Sequence, residues 1–313
     1  MQLKIIVYHY IHNEKDYKYK GLKGISIKSF KNQLKSLLDW GKPLNLGKLI
    51  ETLYSSEKTT GRFFYLTFDD GLKDHYINVF PILKKHGLSA SFFPLTLPLM
   101  ENRVPVVEKQ RFLQYCFTKI YRDFLNDFYR TIKDYNLTLF KKLPELNKKN
   151  IDKASSYLKS SPFYSNEQRF YRKARDQIIP ENDFANIINL LFNKYVNSEK
   201  SFIRDIFMTL DELREMQNQS MDIGCHTHSH AFFNNLSYND QLKEIKKSSD
   251  FLSKKLKKPV QSFAYPYGVF DEKTVTILKK LNFKCAFTTE NYGDLEKLHP
   301  FKLYRIDAKN SSG

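Results

Sequence analysis

Short apolar runs recur along this chain, and most are followed by a loop and a helical pattern. The runs are 3–8 (LKIIVY), 62–68 (RFFYLTF), 90–95 (ASFFPL), 221–225 (MDIGC), 260–265 (VQSFAY), 283–288 (FKCAFT) and 302–306 (KLYRI). Between them, residues 74–86 place Tyr76, Val79, Phe80 and Leu83 at helical spacing, and 209–217 opens with the capping-box pair Thr209 and Glu212. Residues 237–256 carry Leu242, Ile245, Phe251, Leu252 and Leu256 on one side, and 271–281 carry Val275, Ile277, Leu278 and Leu281. Alternating strands and helices dictate a parallel sheet, and seven such strands predict an α/β chain closed, or nearly closed, into a barrel. Barrels of this kind present their chemistry on loops at the carboxyl ends of the strands.

Residues 104–200 break the alternation. Phe112, Tyr115, Cys116, Ile120, Phe124, Phe128 and Ile132 fall three or four apart, and a second helix follows Pro180 with Phe184, Ile187, Ile188, Leu191 and Phe192. We expect one barrel domain over 1–313 with a helical insertion at about 104–200, covering one side of the barrel or its mouth. A separate helical domain fits less well, because barrel strands lie on both sides.

Composition excludes several classes. With 41% hydrophobic and 15% aromatic residues in 313, the chain can build a sizeable core. No apolar run reaches bilayer length, and MQLKIIVYHY reads as a strand and lacks the features of a signal peptide. The expectation is a cytoplasmic protein, at most peripheral to a membrane. Cys116, Cys225 and Cys285 form no CxxC pair, which argues against a disulfide framework or a cysteine zinc site. The net charge of 51 − 34 = +17 comes largely from lysines scattered along helices, without any nucleic-acid-binding signature. A solvated lysine-rich surface is the first reading of that charge and an anionic glycan or membrane surface the next; no nucleic acid is expected.

Two strand ends concentrate unusual side chains. The run 63–68 stops on adjacent carboxylates, Asp69 and Asp70, before a glycine. MDIGCHTHSH, 221–230, holds three of the eight histidines. On a helical turn His226 and His230 share a face within reach of one ion, with His228 pointing elsewhere. Neutral imidazole suits zinc, and a catalytic zinc wants three protein ligands. One of the two aspartates completes the set, the ion offsets the carboxylate repulsion, and the other aspartate remains to act as a base. A third stretch, FAYPYGVFDEKT at 263–274, makes a tight turn with Tyr265 and Tyr267 beside it.

In this order, TFDDG, HTHSH and FAYPYG resemble the polysaccharide deacetylases, the carbohydrate esterase family with the NodB homology domain, over residues 1–100 and 201–307. The resemblance is strongest to the branch containing poly-N-acetylglucosamine deacetylases. It implies a deformed (β/α)7 barrel and metal-dependent hydrolysis of an N-acetyl group on an amino sugar, in cell-surface glycan biosynthesis. It makes Asp69 the catalytic base, and Asp70, His226 and His230 the ligands of one divalent metal, zinc first among the transition metals. His9, in the N-terminal YH pair, is implied as the general acid, with His12 as second candidate and His299 a poor match. Ala264 stands where many members have an arginine that orients the base, and Arg305 is the substitute expected here. The backbone N–H of Tyr267 is expected to meet the oxyanion; Tyr265, Tyr267 and Tyr10 could stack on sugar faces, with packing the default expectation for each. Two other readings are a deacetylase or deformylase of a nucleotide-linked or lipid-linked sugar, and a catalytically inactive glycan-binding module.

Overall fold

The computed structural model describes residues 1–13, 18–19, 22, 24–56, 59–116, 121–159, 164–289 and 299–310. They fall into two compact units, one of Met1–Tyr17, Lys23–Arg103 and Lys200–Gly313, the other of Lys18–Leu22 and Val104–Glu199.

The first unit is α/β. Its strands are β1 (Gln2–Tyr8), β2 (Lys42–Pro43), β3 (Arg62–Asp70), β4 (Ser91–Pro94), β5 (Asp222–Ile223), β6 (Ser262–Ala264), β7 (Cys285–Thr288), β8 (Leu303–Tyr304) and β9 (Ile306–Asp307). β3 is buried along nearly its whole length, as a strand covered on both faces must be. It pairs in parallel with β1, from Gln2↔Arg62 to Tyr8↔Phe68, and with β4, where Asp69 lies opposite Phe93 and Asp70 opposite Pro94. One sheet runs β5-β4-β3-β1-β9, with β2 against the start of β3, and a second runs β6-β7-β8.

Two seams join these sheets into a ring of seven strand positions. At the first, Cys225 bridges Phe263, its N–H donating to Ser262 and its carbonyl accepting from Ala264. At the second, β8 pairs with β7 and β9 with β1, so the run 303–307 serves both sheets, and the Arg305 N–H between them donates to Thr288. The ladder is therefore interrupted rather than continuous, which shortens the strands expected at 221–225 and 260–265 and splits the one at 302–306. Gly224 permits the first seam: a Cβ there would sit 2.2 Å from the Phe93 ring and 2.6 Å from Ser262 Oγ.

Strand alternation sorts the side chains. Phe64, Leu66 and Phe68 pack outward with Phe92 and Phe263 against the helices, whereas Tyr65 faces Ile5, Phe93, Ala264, Cys285, Phe287 and Leu303 inside the ring. Counting in twos from this interior layer reaches His9 from Ile5, Asp69 from Tyr65 and Arg305 from Leu303.

The expected helices are present at Leu210–Asn218, Tyr238–Leu256 and Glu272–Lys280, the first with both halves of the Thr209/Glu212 capping box. The pattern over 74–86 opens instead as a π-helical turn, His75–Val79, before Phe80–Lys85.

The second unit is helical. Helices Val106–Cys116 and Tyr121–Tyr135 carry the aromatic periodicity, while Ile120 and the side chains of Tyr115 and Cys116 lie outside the described residues. Tyr171, from helix Asn166–Gln177, packs edge-on against Phe124 and Phe128, and Phe112 meets Phe192 of helix Glu181–Tyr195. The unit thus has an aromatic core of its own.

Candidate metal centre and the groups around it

β3 delivers both aspartates to the carboxyl end of the ring. The chain then leaves the strand through two left-handed residues, Asp70 (φ 69°) and Gly71 (φ 71°), and a Cβ on Gly71 would lie 2.8 Å from Pro94 Cα. His226 follows the Cys225 seam. Asp70 Oδ1 lies 3.5 Å from His226 Nε2 and 3.6 Å from His230 Nε2, and one donor atom from each residue lies within 4.8 Å of the others. Ligand bonds of roughly 2.0–2.2 Å in a tetrahedron put donor atoms about 3.4 Å apart, so this set fits one small divalent cation. His226 Nδ1–H donates to the Ala264 carbonyl at 2.8 Å, which leaves its Nε2 lone pair for a metal. All three side chains are buried.

The two histidines do not converge through helical spacing. Residues 226–230 form no helix; Thr227 (φ 70°) and His230 (φ 63°) are left-handed, and the His230 N–H returns to Thr227 Oγ1 at 3.1 Å. Among the described residues nine non-glycine positions have positive φ, and Asp70, Thr227, His230 and Tyr267 gather four of them at this site. Such conformations cost of order 1–3 kcal/mol each and persist where the surroundings over-determine them.

Charge reinforces the geometry. Burial pushes the His226 imidazole towards its neutral form, but Asp69 and Asp70 outweigh it and raise its pKa, the mark of a pocket that favours a cation. Burial likewise pushes Asp69 up, yet the Arg305 and His226 charges, with His9 adding to them, hold its carboxyl below the usual range. Arg305 grips Asp69 with two bonds of 2.7 Å, Nη1 to Oδ1 and Nη2 to Oδ2, both residues being almost wholly buried. The guanidinium at Asp69 is thus contributed, in space, by Arg305 at the junction of β8 and β9.

His9 is half-buried at the end of β1, in electrostatic reach of Asp69. Three side chains from the segment after β3 grip its loop: Asp74 pairs with His12 Nδ1 at 2.8 Å, His75 Nε2–H donates to the His9 carbonyl at 2.8 Å, and Asn78 donates to the Ile11 carbonyl at 2.7 Å. Sequence reasoning missed all three, although the Asp-His pair four residues past the carboxylates was a visible signal. His12 is buried against Asp74, and His299 Nδ1 accepts the Phe301 N–H at 3.1 Å.

Tyr267 lies in the 3-10 turn Pro266–Gly268, left-handed at φ 58° and half exposed, with its ring edge-on to His230 at 4.6 Å. Tyr265 and Tyr10 take the packing role expected by default, and neither is exposed for a sugar face. The Tyr265 ring stacks on Phe270 at 4.4 Å and its hydroxyl donates to the Phe301 carbonyl, leaving it 1% exposed. Tyr10 is buried edge-on to His12. Alternation turned both rings into packing. His228 takes no part in the ligand set: Thr96, Glu101 and Lys247 surround its ring at 3.0, 3.0 and 2.8 Å.

Comparison with known proteins places these residues in a wider context. The family model for polysaccharide deacetylases matches residues 56–111 and 185–286. A poly-beta-1,6-N-acetyl-D-glucosamine N-deacetylase of Staphylococcus aureus (strain MSSA476) is 27% identical over 120 residues, covering 34% of this chain and 40% of its own. The chain thus matches about two fifths of the length of such curated relatives. The deacetylase PplD of Streptococcus pyogenes, solved in complex with acetate, has a similar fold, with TM-score 0.56 and 19% identity over 99% of this chain and 96% of that one. IcaB from Ammonifex degensii aligns with TM-score 0.54 and 16% identity over 98% and 94%.

Proposed function

The chain belongs to the polysaccharide deacetylase family, and from that premise we propose that it is a metal-dependent carbohydrate N-deacetylase, removing the acetyl group from an amino sugar in a cell-surface glycan. The observation that carries the proposal is the junction of two sets of side chains. Asp70, His226 and His230 form a donor set for one divalent cation, zinc by preference. Asp69, the adjacent residue, is held ionised by a buried guanidinium.

The chain's own groups divide the work. Asp70, His226 and His230 would hold the cation, which when bound polarises the acetyl carbonyl and acidifies water. Asp69 takes the proton of the attacking water, and Arg305 keeps both its oxygens oriented and its charge unprotonated. The Tyr267 N–H, in its left-handed turn beside His230, would donate to the charge that develops on the acetyl oxygen. His9 returns a proton to the departing amine, the general-acid role that an imidazole can fill. The exposed ring of Tyr267 is the sugar contact. A net charge of +17 favours an anionic glycan or membrane surface as neighbour, and no helix among the described residues is long and apolar enough to cross a membrane.

The test is acetate or formate release, on zinc loading, from N-acetylated glucosamine oligomers, nucleotide sugars and lipid-linked sugars. Release from oligomers, abolished in Asp69→Asn with zinc still bound, is the expected result. Release only from the nucleotide or lipid-linked sugars would move the substrate to a precursor. Glycan binding without release from any of them would mark an inactive binding module.

A further inference from the structure

The segment 226–230 holds two left-handed residues, Thr227 and His230, and one side chain from another element meets its backbone between them. Glu244, on helix Tyr238–Leu256, accepts the His228 N–H at 3.1 Å and the Ser229 N–H at 2.9 Å through one carboxylate oxygen. Its other oxygen accepts the Ser229 hydroxyl at 3.0 Å. One helical turn on, Lys247 reaches His228 Nε2 at 2.8 Å and Glu101. The same helix buries Ile245 in the core, so the carboxylate stands on a rigid support.

We propose that Glu244 is a positioning residue for metal binding: by taking two successive backbone N–H groups and the hydroxyl between the ligand histidines, it holds the segment in the conformation that brings His226 and His230 to a common point with Asp70. The physical reason is local. A chain turning through two left-handed residues aims its intervening N–H groups away from any sheet or helix partner. A carboxylate with four lone-pair sites satisfies them at once. Without it the segment relaxes toward right-handed conformers, and the donor atoms, 3.5 and 3.6 Å from Asp70, move apart. Outer groups that orient ligands in this way change metal affinity by roughly 10–100-fold when removed. The inference rests on the metal reading of the site.

The experiment is a Zn2+ titration of the metal-stripped full chain against a competing chelator, with the visible spectrum of the Co2+ form and the melting temperature of the metal-free protein recorded in parallel. Glu244→Ala should weaken Zn2+ by about 10–100-fold and alter the Co2+ spectrum. Glu244→Gln should restore most of the affinity, because its amide oxygen still accepts the two N–H groups while its NH2 donates to the Ser229 hydroxyl. Wild-type affinity in Glu244→Ala overturns the proposal. So does an equal loss in both variants that tracks a fall in metal-free melting temperature, since that is general destabilisation. Should Glu244→Ala fail to fold, Glu244→Asp, with the same charge one methylene further back, asks the same question, and wild-type affinity in it overturns the idea. His226→Ala separates the two readings: undiminished Zn2+ binding there removes the metal site itself.

Discussion

Arg305 and Asp69 are buried as a pair 236 positions apart in sequence, and the pair is asymmetric in what it contributes. Breaking a buried ion pair from one side leaves the other charge without compensation, at a cost of about 3–5 kcal/mol. We therefore expect Arg305→Met to lose stability on that scale by urea unfolding. It should also lose turnover, and its activity should rise at a higher pH than the wild type's, because burial alone raises the Asp69 pKa. For the wild type the sign is the opposite. A carboxyl held below its unfolded value contributes stability that is present above about pH 4 and is lost as pH falls through the depressed folded value. Urea midpoints of metal-stripped protein should fall with acidification below about pH 4, and Asp69→Asn should flatten that fall. His75 gives a second residue-level expectation. Burial holds it neutral, so its Nε2 keeps the proton that binds the His9 carbonyl. His75→Leu should cost about 1–3 kcal/mol and lower kcat while zinc affinity stays unchanged, because it frees the acid's backbone and touches no ligand.

Among elements, the decisive ones are short. β5 is two residues long, and its ladder reaches β6 through one bridge made possible by the hydrogen at Gly224 Cα. A methyl group there must displace the Phe93 ring, so Gly224→Ala should cost about 1–3 kcal/mol in chemical denaturation and loosen His226, two residues on. These seams also mark where the sequence became hard to read. The long apolar run before Asp69 and the helical periodicities were legible because packing demands a repeated pattern. The strand expected at 221–225 was legible as an apolar run, but its interruption depends on a contact with Phe93 that lies far away in sequence. His226 and His230 were singled out in the sequence, yet for a reason the structure replaces: left-handed residues, which need not follow a side-chain pattern, bring them together beside Asp70. Arg305 was named only as the substitute for the arginine absent at Ala264; its parity with the interior Leu303 emerges in the structure. Asp74 and His75 were visible as a pair, but their partners in the loop after β1 were not, and Asn78 lies in a π-helical turn that shifts side chains off the 3.6-residue spacing.

At the scale of the molecule, the donor set ties β3 to a segment more than 150 residues later, Asp70 to His226 and His230. A cation held there stabilises the folded chain by mass action, about 2.7 kcal/mol at a free concentration 100 times Kd. Saturating Zn2+ should raise the melting temperature of the wild type and leave the His226→Ala, His230→Ala double variant unmoved, as differential scanning calorimetry would read. The last strand also has a bearing on biosynthesis. β9 docks beside β1, Ile306 against Ile6, and the guanidinium that neutralises Asp69 is carried between β8 and β9. A nascent chain must therefore extend past Arg305 before the Asp69 carboxylate is shielded, and every intermediate that stops short of it holds two adjacent carboxylates without that cation. Closure of the ring thus waits on synthesis of the 303–307 run, however much of the wall has folded before it.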